Sequence, residues 1–369
     1  MMATFSPHVV FVLGQWARGG TELQSLALVR ALAERGLRVA LVVVEGEMPV
    51  AIPGVPAICL GGRRGLWGPL SLACAVVRLR RYLRRARPLI VHSALARGYV
   101  LTACAVARGS GPRTVSWRRN EGTHLRGRGR LARAVERWAA QRTDVVVANS
   151  ESVRDYWRTV VGDSVDIQVI PNTIDDRFFT GAGAGAGAAD RPGRAVLVSV
   201  GALKPVKAHE TILAACALLR GGDRDAEVVL VGDGSRREAL IAQAQAEGVP
   251  LRVTGVVDDV LPWLREATVY VHSSTSEGVS NAIMEAMAAG LPVVVPEIPG
   301  MSDLVGEAAV RYPAGSVKRL ADELGVLLDQ PDSRQALGRE ARARMSGRRS
   351  AAVVDHYIAV YGLGNLCAA

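Results

Sequence analysis

The segment HVVFVLGQWARGGTELQSLALVRALAERGLRVALVVV (residues 8–44) sets the fold class of this chain. Its two ends are β-branched apolar runs, which predict buried strands. Between them apolar residues recur at helical spacing, with Thr21 as the candidate N-cap and Gly36 as the stop. A strand, a helix and a second strand in this order predict a βαβ unit, and therefore a parallel sheet covered by helices.

The same alternation of strands and helices continues along the rest of the chain. Further strands are predicted at residues 88–93, 113–117, 144–150, 166–172, 195–201, 226–232, 251–255, 268–274 and 292–296. Residues 181–189, GAGAGAGAA, carry no side chains that could pack in a core, which is typical of a linker. We therefore predict two doubly wound α/β domains, at 1–180 and 195–349, joined by a linker at 181–194. A C-terminal helix at 350–369 is predicted to pack back on the first domain.

The composition favours a globular chain with sizeable cores. The 369 residues are 49% hydrophobic, and no apolar run approaches the roughly 18 residues of a membrane-spanning helix. The start, MMATFSPHVVFVLG, lacks the basic segment of a secretory leader, so we expect a soluble, cytoplasmic protein. Attachment to the inner face of the membrane stays open. The five cysteines are scattered, which argues against a disulfide framework or a zinc site.

Positive charge is concentrated in the first half of the chain. Residues 1–180 carry 26 Arg against 13 acidic residues, and residues 181–369 carry 19 basic against 22 acidic residues. A one-sided basic domain predicts an anionic partner. Within it, residues 72–88 combine an apolar stripe with many arginines, which favours either an ordinary surface helix or docking on an anionic membrane. The arginines considered for membrane contact are Arg78, Arg81, Arg84 and Arg85. No basic motif interleaved with aromatic residues indicates a nucleic-acid partner.

Two of the three lysines fall in one loop, VGALKPVKAHE (200–210), between a predicted strand and a helix. Lysine is a compact cation suited to phosphate, and the start of a helix adds positive potential. Lys204 and Lys207 are therefore candidates for phosphate binding, and the alternative is a solvated loop with two surface lysines. A second glycine turn, VGDGS (231–235), ends another strand and is generic in α/β folds.

The segment TSEGVSNAIMEAMAAGLPVVV (275–295) places one carboxylate in a turn and another inside an almost wholly apolar helix. Ser280 or Asn281 can cap this helix, and Asn281 and Glu285 lie on one helical face. Ionised carboxylates are rarely buried without a partner, and they suit the hydroxyl groups of a ribose or a hexose. The alternative is that Glu285 pairs with an arginine and that Glu277 is an exposed turn residue.

The first loop, GQWARGGTE (14–22), links a predicted strand to a helix but lacks the G-x-G-x-x-G spacing of a dinucleotide-binding site. Glu45 ends the second strand, where an acid that binds a ribose would lie. This position is the best argument for an NAD-dependent enzyme.

Together these motifs resemble the retaining nucleotide-sugar glycosyltransferases of family four, which have the GT-B fold of two Rossmann-like domains facing across a cleft. Glu277 and Glu285 meet the family's E-x7-E signature, and VGALKPVKAHE resembles its G-R-L-x-x-x-K phosphate loop. LVGDGSRREAL (230–240) and VTGVVDDVLPWLREATVYVHSS (253–274) resemble its nucleotide-facing strands. In the first half GGTELQSLALVRALAERG, VVVANSESVR and VIPNTID are similar to family segments, so the resemblance spans nearly the whole chain.

The resemblance implies a role for each candidate residue. Glu285 would bind the ribose hydroxyls of the donor, Glu277 the hydroxyls of the transferred sugar, and Lys207 the diphosphate. Other donor-binding positions would be Gly19, Gly20, Gly201, Gly232, Gly278, Val279, Ser280 and Asn281. Such sites use cations and helix dipoles in place of a metal, and no D-x-D motif is present, so neither a metal nor a cofactor is expected. The adjacent pairs at 175–176 and 258–259 are predicted to be turn or cap residues.

The chain departs from the family pattern at several positions. Ala202 replaces the arginine of the phosphate loop, so we expect Lys204 or Arg18 to supply that charge. Pro299 and Asp303 stand where the family often has Gly and Glu.

The acceptor side also differs from the family. Many members have a histidine after the strand corresponding to 113–117, whereas this chain has SWRRNEG there. If any histidine acts, His92 or His124 would have to serve, and His92 could equally be a core histidine. Arg118 and Arg18 are further acceptor-side candidates.

The implied reaction moves a hexosyl or N-acetylhexosaminyl unit, with retention, from a nucleotide diphosphate sugar to a hydroxyl acceptor. UDP is favoured over GDP, and the acceptor would be a lipid-linked glycan or a small natural product. Two alternatives stay open. A nucleotide-sugar epimerase of similar fold would need no acceptor, and a non-catalytic nucleotide-sugar-binding protein would show no turnover.

Overall fold

The computed structural model describes residues 6–16, 19–45, 51–62, 69–106, 109, 111–122, 125, 127, 129–180, 194–221 and 224–366. Within these ranges the chain forms two compact units. One comprises Met1–Thr173 with Ser350–Ala369, and the other comprises Ile174–Arg349. The predicted linker, up to residue 193, lies outside the described residues, as do Arg18 and His124.

Each unit is built on a parallel sheet. The strands of the first are β1 (Val9–Leu13), β2 (Val39–Glu45), β3 (Ala57–Gly62), β4 (Ile90–Ala94), β5 (Arg113–Arg118), β6 (Val145–Ala148) and β7 (Ile167–Val169). The strands of the second are β8 (Ala195–Val200), β9 (Ala226–Val231), β10 (Leu251–Val253), β11 (Val269–Val271), β12 (Val293–Glu297) and β13 (Val310–Pro313). The sequence patterns predicted all of these except β3 and β13, which lie at the outer edges of their sheets.

The helices cover both sheets. They are α1 (Gly20–Glu34), α2 (Pro69–Ala86), α3 (Ala96–Ala105), α4 (Arg130–Gln141), α5 (Glu151–Val161), α6 (His209–Gly221), α7 (Arg237–Ala246), α8 (Leu261–Glu266), α9 (Asn281–Ala288), α10 (Met301–Val305), α11 (Val317–Asp329), α12 (Pro331–Met345) and α13 (Ser350–Tyr361). Helix α1 begins one residue before Thr21, so the predicted cap is wrong: Gly19 occupies the N-cap and makes no side-chain hydrogen bond. Gly36 follows the helix at a φ of 79°, which a glycine adopts readily.

The strand orders are β3-β2-β1-β4-β5-β6-β7 and β10-β9-β8-β11-β12-β13. Both are doubly wound, because the chain first adds strands on one side of the opening strand and then crosses to the other side. The crossing falls between β1 and β4 in one sheet and between β8 and β11 in the other. Loops at such a switch point diverge, which leaves a crevice outside the carboxyl ends of the strands.

Close backbone packing supports the switch point of the first sheet. A Cβ atom on Gly14, after β1, would lie 2.6 Å from the backbone nitrogen of Gly98 in α3. Any side chain at Gly14 would therefore push α3 away from the sheet.

The C-terminal helix α13 belongs to the first unit. Tyr357 and Tyr361 are buried in a core cluster with Phe11, Trp117 and the apolar face of α1. The second unit begins earlier than the boundary at 180 drawn from the sequence, because Phe178 and Phe179 pack in its own core.

Candidate functional site

The candidate site in the second unit lies on the two loops that leave the switch-point strands β8 and β11. The loop after β8 ends in a short 3-10 turn, Pro205–Lys207, and the loop after β11 carries Glu277. The Thr275 amide donates to the Val206 carbonyl at 2.9 Å, and the Ser273 hydroxyl donates to the Lys207 carbonyl at 2.7 Å. These bonds fix one loop against the other, so two segments 70 residues apart form one surface.

Lys207 and Glu277 form an ion pair between the lysine Nζ and the carboxylate Oε2. Each side chain is 20% exposed, so solvent still reaches the pair. The same Oε2 lies 3.3 Å from the Ser274 hydroxyl, which donates to it, and 3.4 Å from His272 Nε2. The fold therefore brings together a cation and a carboxylate that the sequence analysis had identified separately.

The electrostatics of Glu277 keep it ionised. Burial by itself would raise the pKa of the carboxyl, but the adjacent His272 imidazole and the charge of Lys207 outweigh it and hold the pKa at about 2. Burial lowers the pKa of His272, so its imidazole is neutral near pH 7. A neutral imidazole can donate through Nε2, which fits the position of Glu277.

Glu285 has the opposite environment. It lies half-buried on α9, and no side chain among the described residues forms a hydrogen bond or an ion pair with its carboxylate. Burial raises the pKa of this carboxyl to about 7, although the charge of Arg177 opposes the rise. The alternative that Glu285 pairs with an arginine does not hold within the described chain. Arg177 pairs instead with Asp259 at 3.1 Å and with Asp175 at 3.5 Å.

One aspartate of each pair accepts from a nearby backbone amide, as expected for turn or cap residues. Asp175 Oδ1 accepts from the Arg177 amide at 3.0 Å, and Asp259 Oδ1 accepts from the Leu261 amide at 3.0 Å. Both aspartates are thus engaged in local backbone structure in addition to their pairing with Arg177.

Glycines allow the loop after β9 to pack closely against the loop after β8. A Cβ atom on Gly232 would lie 2.0 Å from the carbonyl oxygen of Gly201, and one on Gly234 would lie 2.4 Å from that of Leu203. Gly201 and Gly232 have φ values of 156° and 150°. The loops after β8 and β9 can therefore touch only if Gly232 and Gly234 have no side chains.

The turn from Gly278 to Asn281 leads into α9. Ser280 occupies the N-cap but makes no side-chain cap hydrogen bond, so it leaves the first amides of the helix to other partners. Gly278 is exposed, whereas Val279 packs partly against the core of the unit. Lys204 precedes the turn that holds Lys207 and is exposed.

The candidates of the first unit are placed differently. Gly19 and Gly20 begin α1, and a Cβ atom on Gly19 would lie 2.6 Å from Glu22 Oε2. Burial raises the pKa of that glutamate. Glu45, the argument for a dinucleotide enzyme, is buried and forms an ion pair with Arg97, so it does not stand ready for a ribose.

His92 and Arg118 require a correction, because both are buried in the first unit. His92 stacks on Phe11 with ring centroids 4.4 Å apart, and burial lowers its pKa well below the usual value. The Arg118 guanidinium lies 3.5 Å from the Tyr99 ring centroid and 3.6 Å from Glu136. Neither side chain is exposed to an acceptor within this unit.

The basic helix α2 also differs from the membrane-docking expectation. Leu79 and Leu83 of its apolar stripe are buried in the core, and Leu72 and Val76 pack against the same cluster. The predicted arginines are exposed, namely Arg78, Arg81, Arg84 and Arg85. The helix therefore exposes its arginines to solvent, whereas its apolar stripe is packed in the core and does not face a membrane.

Two residues near the site were missed by the sequence analysis. His272 directly follows β11 in the motif VYVHSS. A polar residue at the end of a buried strand could have indicated a site residue. Arg177 lies in a segment distant in the sequence, and no local pattern indicates that it approaches Glu285.

Two general properties concern metals and membranes. Among the described residues, no group of three or more His, Cys, Asp and Glu side chains could hold a metal ion, and metal independence stays a prediction. None of the helices in the described ranges combines the length and the apolar character needed to cross a bilayer.

Comparison with known proteins gives two family matches. The model described as Glycosyltransferase Family 4 matches residues 18–178, and the model described as Glycosyl transferases group 1 matches residues 194–330. A glycogen synthase of Mycobacterium tuberculosis is 31% identical over 59% of this chain and 53% of its own length. A GDP-mannose-dependent alpha-(1-6)-phosphatidylinositol monomannoside mannosyltransferase of the same species is 30% identical over 58% of this chain and 60% of its own.

The chain thus spans little more than half the length of these curated relatives. Among solved structures, HepE of Anabaena, in complex with UDP and glucose, has a TM-score of 0.78 at 16% identity. That match covers 96% of this chain and 99% of HepE, and it shows a shared GT-B fold. With its two domain matches and its two parallel-sheet units, the chain belongs to the family-four glycosyltransferases.

Proposed function

We propose that this protein is a retaining glycosyltransferase that takes a hexosyl or N-acetylhexosaminyl unit from a nucleotide diphosphate sugar. The observation that carries the proposal is the contrast of two carboxylates at one switch point. Glu277 is held ionised beside Lys207, and Glu285 lies eight residues later with no partner among the described side chains. A site with one satisfied and one unsatisfied carboxylate suits a ligand that brings both an anion and hydroxyl groups.

The unit that contains Ile174–Arg349 would bind the donor, and the other unit would serve the acceptor. Glu285 and Asn281 would accept and donate hydrogen bonds to the ribose. Glu277 would accept from hydroxyls of the transferred sugar, and Lys207 would bind the diphosphate, with Lys204 as the second cation. The amides at the start of α9 would add positive potential at the phosphates. The roles of Gly19 and Gly20 stay predictions.

The mechanism follows from these assignments. In a front-face displacement the bond from the anomeric carbon to the phosphate oxygen breaks, and the acceptor oxygen forms the new bond on the same face. The leaving phosphate oxygen takes the acceptor's proton. Negative charge therefore grows on the diphosphate, and Lys207 is positioned to stabilise it. In the absence of donor, the ion pair with Glu277 would hold the Lys207 ammonium in place.

UDP is the favoured nucleotide, supported by the UDP complex of HepE, and GDP is the alternative, since one relative is named as GDP-mannose-dependent. The acceptor would be a lipid-linked glycan or a small natural product. We place the reaction in the cytoplasm, at or near the inner face of the membrane, and we expect activity to survive EDTA.

The first experiment is a thermal-shift panel of UDP, GDP and ADP. A nucleotide present at 100 times its Kd adds about 2.7 kcal/mol to the free energy of unfolding, which is readily measured. The favoured nucleotide is then supplied as sugar conjugates, with acceptors, and the anomeric configuration of the product is determined by NMR.

Each outcome of this experiment decides between functions. A glycoside product with retained configuration supports the proposal, and an inverted product contradicts its mechanism. An isomerised donor formed without an acceptor would identify an epimerase. Binding without turnover on any acceptor would favour a non-catalytic binding protein, and no stabilisation by any nucleotide would refute the donor site.

A further inference from the structure

Arg119 directly follows β5, at the carboxyl edge of the first sheet, and its environment differs from that of its neighbour Arg118. Successive side chains of a strand point to opposite faces, so Arg119 lies on the Trp117 side of the sheet and Arg118 on the other. The Arg119 guanidinium lies 4.4 Å from the Trp117 ring centroid, and the side chain is partly exposed. Ligands of doubly wound sheets bind at this edge.

The charge of Arg119 has no anionic partner among the described residues. Its Nη2 is buried and makes no hydrogen bond there, and no carboxylate of the described chain forms an ion pair with the guanidinium. Arg118, by contrast, donates to the Ser116 hydroxyl at 3.2 Å and pairs with Glu136 at 3.6 Å. Of two consecutive arginines, the fold therefore compensates the charge of one and leaves that of the other without a counter-charge.

This arrangement is costly for the cation. Burial lowers the pKa of Arg119 to about 10, and among the described groups it is the Tyr357 hydroxyl that opposes the fall. Stacking on Trp117 engages the face of the guanidinium, but its N–H donors lie in the plane and gain no acceptor from the ring. An oxyanion in that plane would supply both the counter-charge and the acceptors.

Asn149 provides a second polar group without a partner at the same edge. It directly follows β6, and because Arg118 pairs with Ala148 in the register, Asn149 is the next position beside Arg119. Its Nδ2 donates to the Arg119 carbonyl at 3.5 Å, whereas its Oδ1 is buried and accepts no hydrogen bond from a described residue. Buried polar atoms are normally satisfied, so an unpaired donor and an unpaired acceptor on adjacent strands indicate a site that a ligand completes.

We propose that Arg119 binds an oxyanion of the acceptor, a phosphate or a carboxylate, and that Asn149 accepts a hydrogen bond from a hydroxyl of the same molecule. The inference rests on the proposed function, because it assigns this edge of the first unit to the acceptor. The planar fork of a guanidinium can donate to two oxygens of one carboxylate or phosphate, which fixes the orientation of the bound group. Arg119 therefore selects an acceptor that carries negative charge over a neutral one of the same size.

Three probes with one carbon skeleton test the site on the full chain, independently of any glycosyl transfer. They are glycerol 3-phosphate, glycerate and glycerol, compared by thermal shift at equal ionic strength, with and without UDP. We expect a shift from at least one anion and none from glycerol, and the anion with the larger shift identifies phosphate or carboxylate as the preferred group.

Variants of Arg119 give the decisive comparison. Arg119→Gln should bind the preferred anion at least tenfold less tightly, the loss expected for hydrogen bonds to a charged group. Arg119→Lys keeps the charge without the fork and should recover part of the affinity. Arg133→Gln removes an exposed arginine of α4 in the same unit and should bind as the unmodified protein does. Without ligand, Arg119→Gln should melt no lower than the unmodified protein, because it removes an uncompensated charge.

Several results would overturn the proposal. Anions that shift the unmodified protein no more than glycerol does, or that bind Arg119→Gln equally well, would exclude an anion site at Arg119. Loss of the UDP-induced shift in Arg119→Gln would place this arginine at the donor instead. Lost anion binding together with a lowered melting temperature would assign it a structural role. None of these results touches the donor site, because the proposed function fails on a different observation, the absence of stabilisation of the unmodified chain by any nucleotide.

Discussion

Glu277 and Glu285 differ in environment although one short segment carries both. The turn holds Glu277 among Lys207, Ser274 and His272, and the pKa of its carboxyl falls to about 2. The helix holds Glu285 half-buried without a hydrogen-bond or ion-pair partner among the described residues, and the pKa of its carboxyl rises to about 7. The pair teaches that a folded protein can satisfy one carboxylate internally and leave the other for a ligand.

The largest expected effect comes from removing the cation beside Glu277. Lys207→Met should lower kcat by about 10²–10³-fold, because the charge that develops on the leaving diphosphate loses its nearest lysine. Steady-state kinetics with a saturating donor would measure the change. Lys318→Met is the matched control, since Lys318 is exposed and pairs only with Asp322 among the described residues. Near-native turnover of Lys207→Met would contradict the proposed role of Lys207.

The charge that replaces the missing loop arginine can be located by the donor KM. Lys204→Ala should raise the donor KM severalfold, because one cation near the phosphates is lost. Arg18→Ala, at a position outside the described residues, is the competing variant. If both variants kept the unmodified KM, neither residue would be the substitute for the arginine that Ala202 replaces.

The next effect concerns the unpartnered carboxylate. Glu285→Gln should weaken UDP binding at pH 8 by roughly 10–100-fold, the worth of one or two hydrogen bonds to a charged group. Calorimetry with UDP and 2′-deoxy-UDP on both proteins forms a double-mutant cycle. If Glu285 binds the ribose, the deoxy ligand should lose little further affinity in the variant. Fully additive losses would place Glu285 away from the 2′-hydroxyl.

In the protein without ligand, the same variant, Glu285→Gln, is expected to increase stability, whereas it weakens UDP binding. The pKa of Glu285 is about 7 in the folded state against 4.5 ordinarily, so the folded state holds the extra proton between these values. The free energy of unfolding therefore falls as pH rises from about 4.5 through 7. The full shift corresponds to about 3 kcal/mol, which solvent at this half-buried site reduces to about 2 kcal/mol. Glu285→Gln removes this loss, so it should stabilise the protein by about 2 kcal/mol at pH 8 and by little at pH 4.5. Urea denaturation at the two pH values would measure it, and an equal effect at both would refute the assigned pKa.

The smallest expected effect tests the support of Glu277. His272→Leu removes the Nε2 donor 3.4 Å from the carboxylate and should cost about 1 kcal/mol of stability at pH 7. His272→Asn keeps a donor and should recover part of the loss, together with the donor KM. Identical losses in the two variants would mean that His272 acts through packing alone.

Much of the fold was readable from local patterns. The apolar strand runs, the helical spacing after Gly20 and the glycines at strand ends predicted two parallel sheets, because backbone geometry imposes these periods on any sequence. The patterns missed β3 and β13, which lie at sheet edges where AICLGG and VRYP alternate weakly. The acceptor-side assignments of His92 and Arg118 failed because burial depends on packing partners far away in the sequence.

By itself the sequence determined the fold class, the two units and the identity of the candidate residues Lys207, Glu277 and Glu285. Only the tertiary structure decided which of them meet. The doubly wound order puts β8 beside β11, so the Lys207 loop and the Glu277 turn share one edge. It also decided that α2 buries its apolar stripe in the core, whereas Leu131, Val135 and Trp138 of α4 stay exposed. Both outcomes rest on long-range contacts, which no local period encodes.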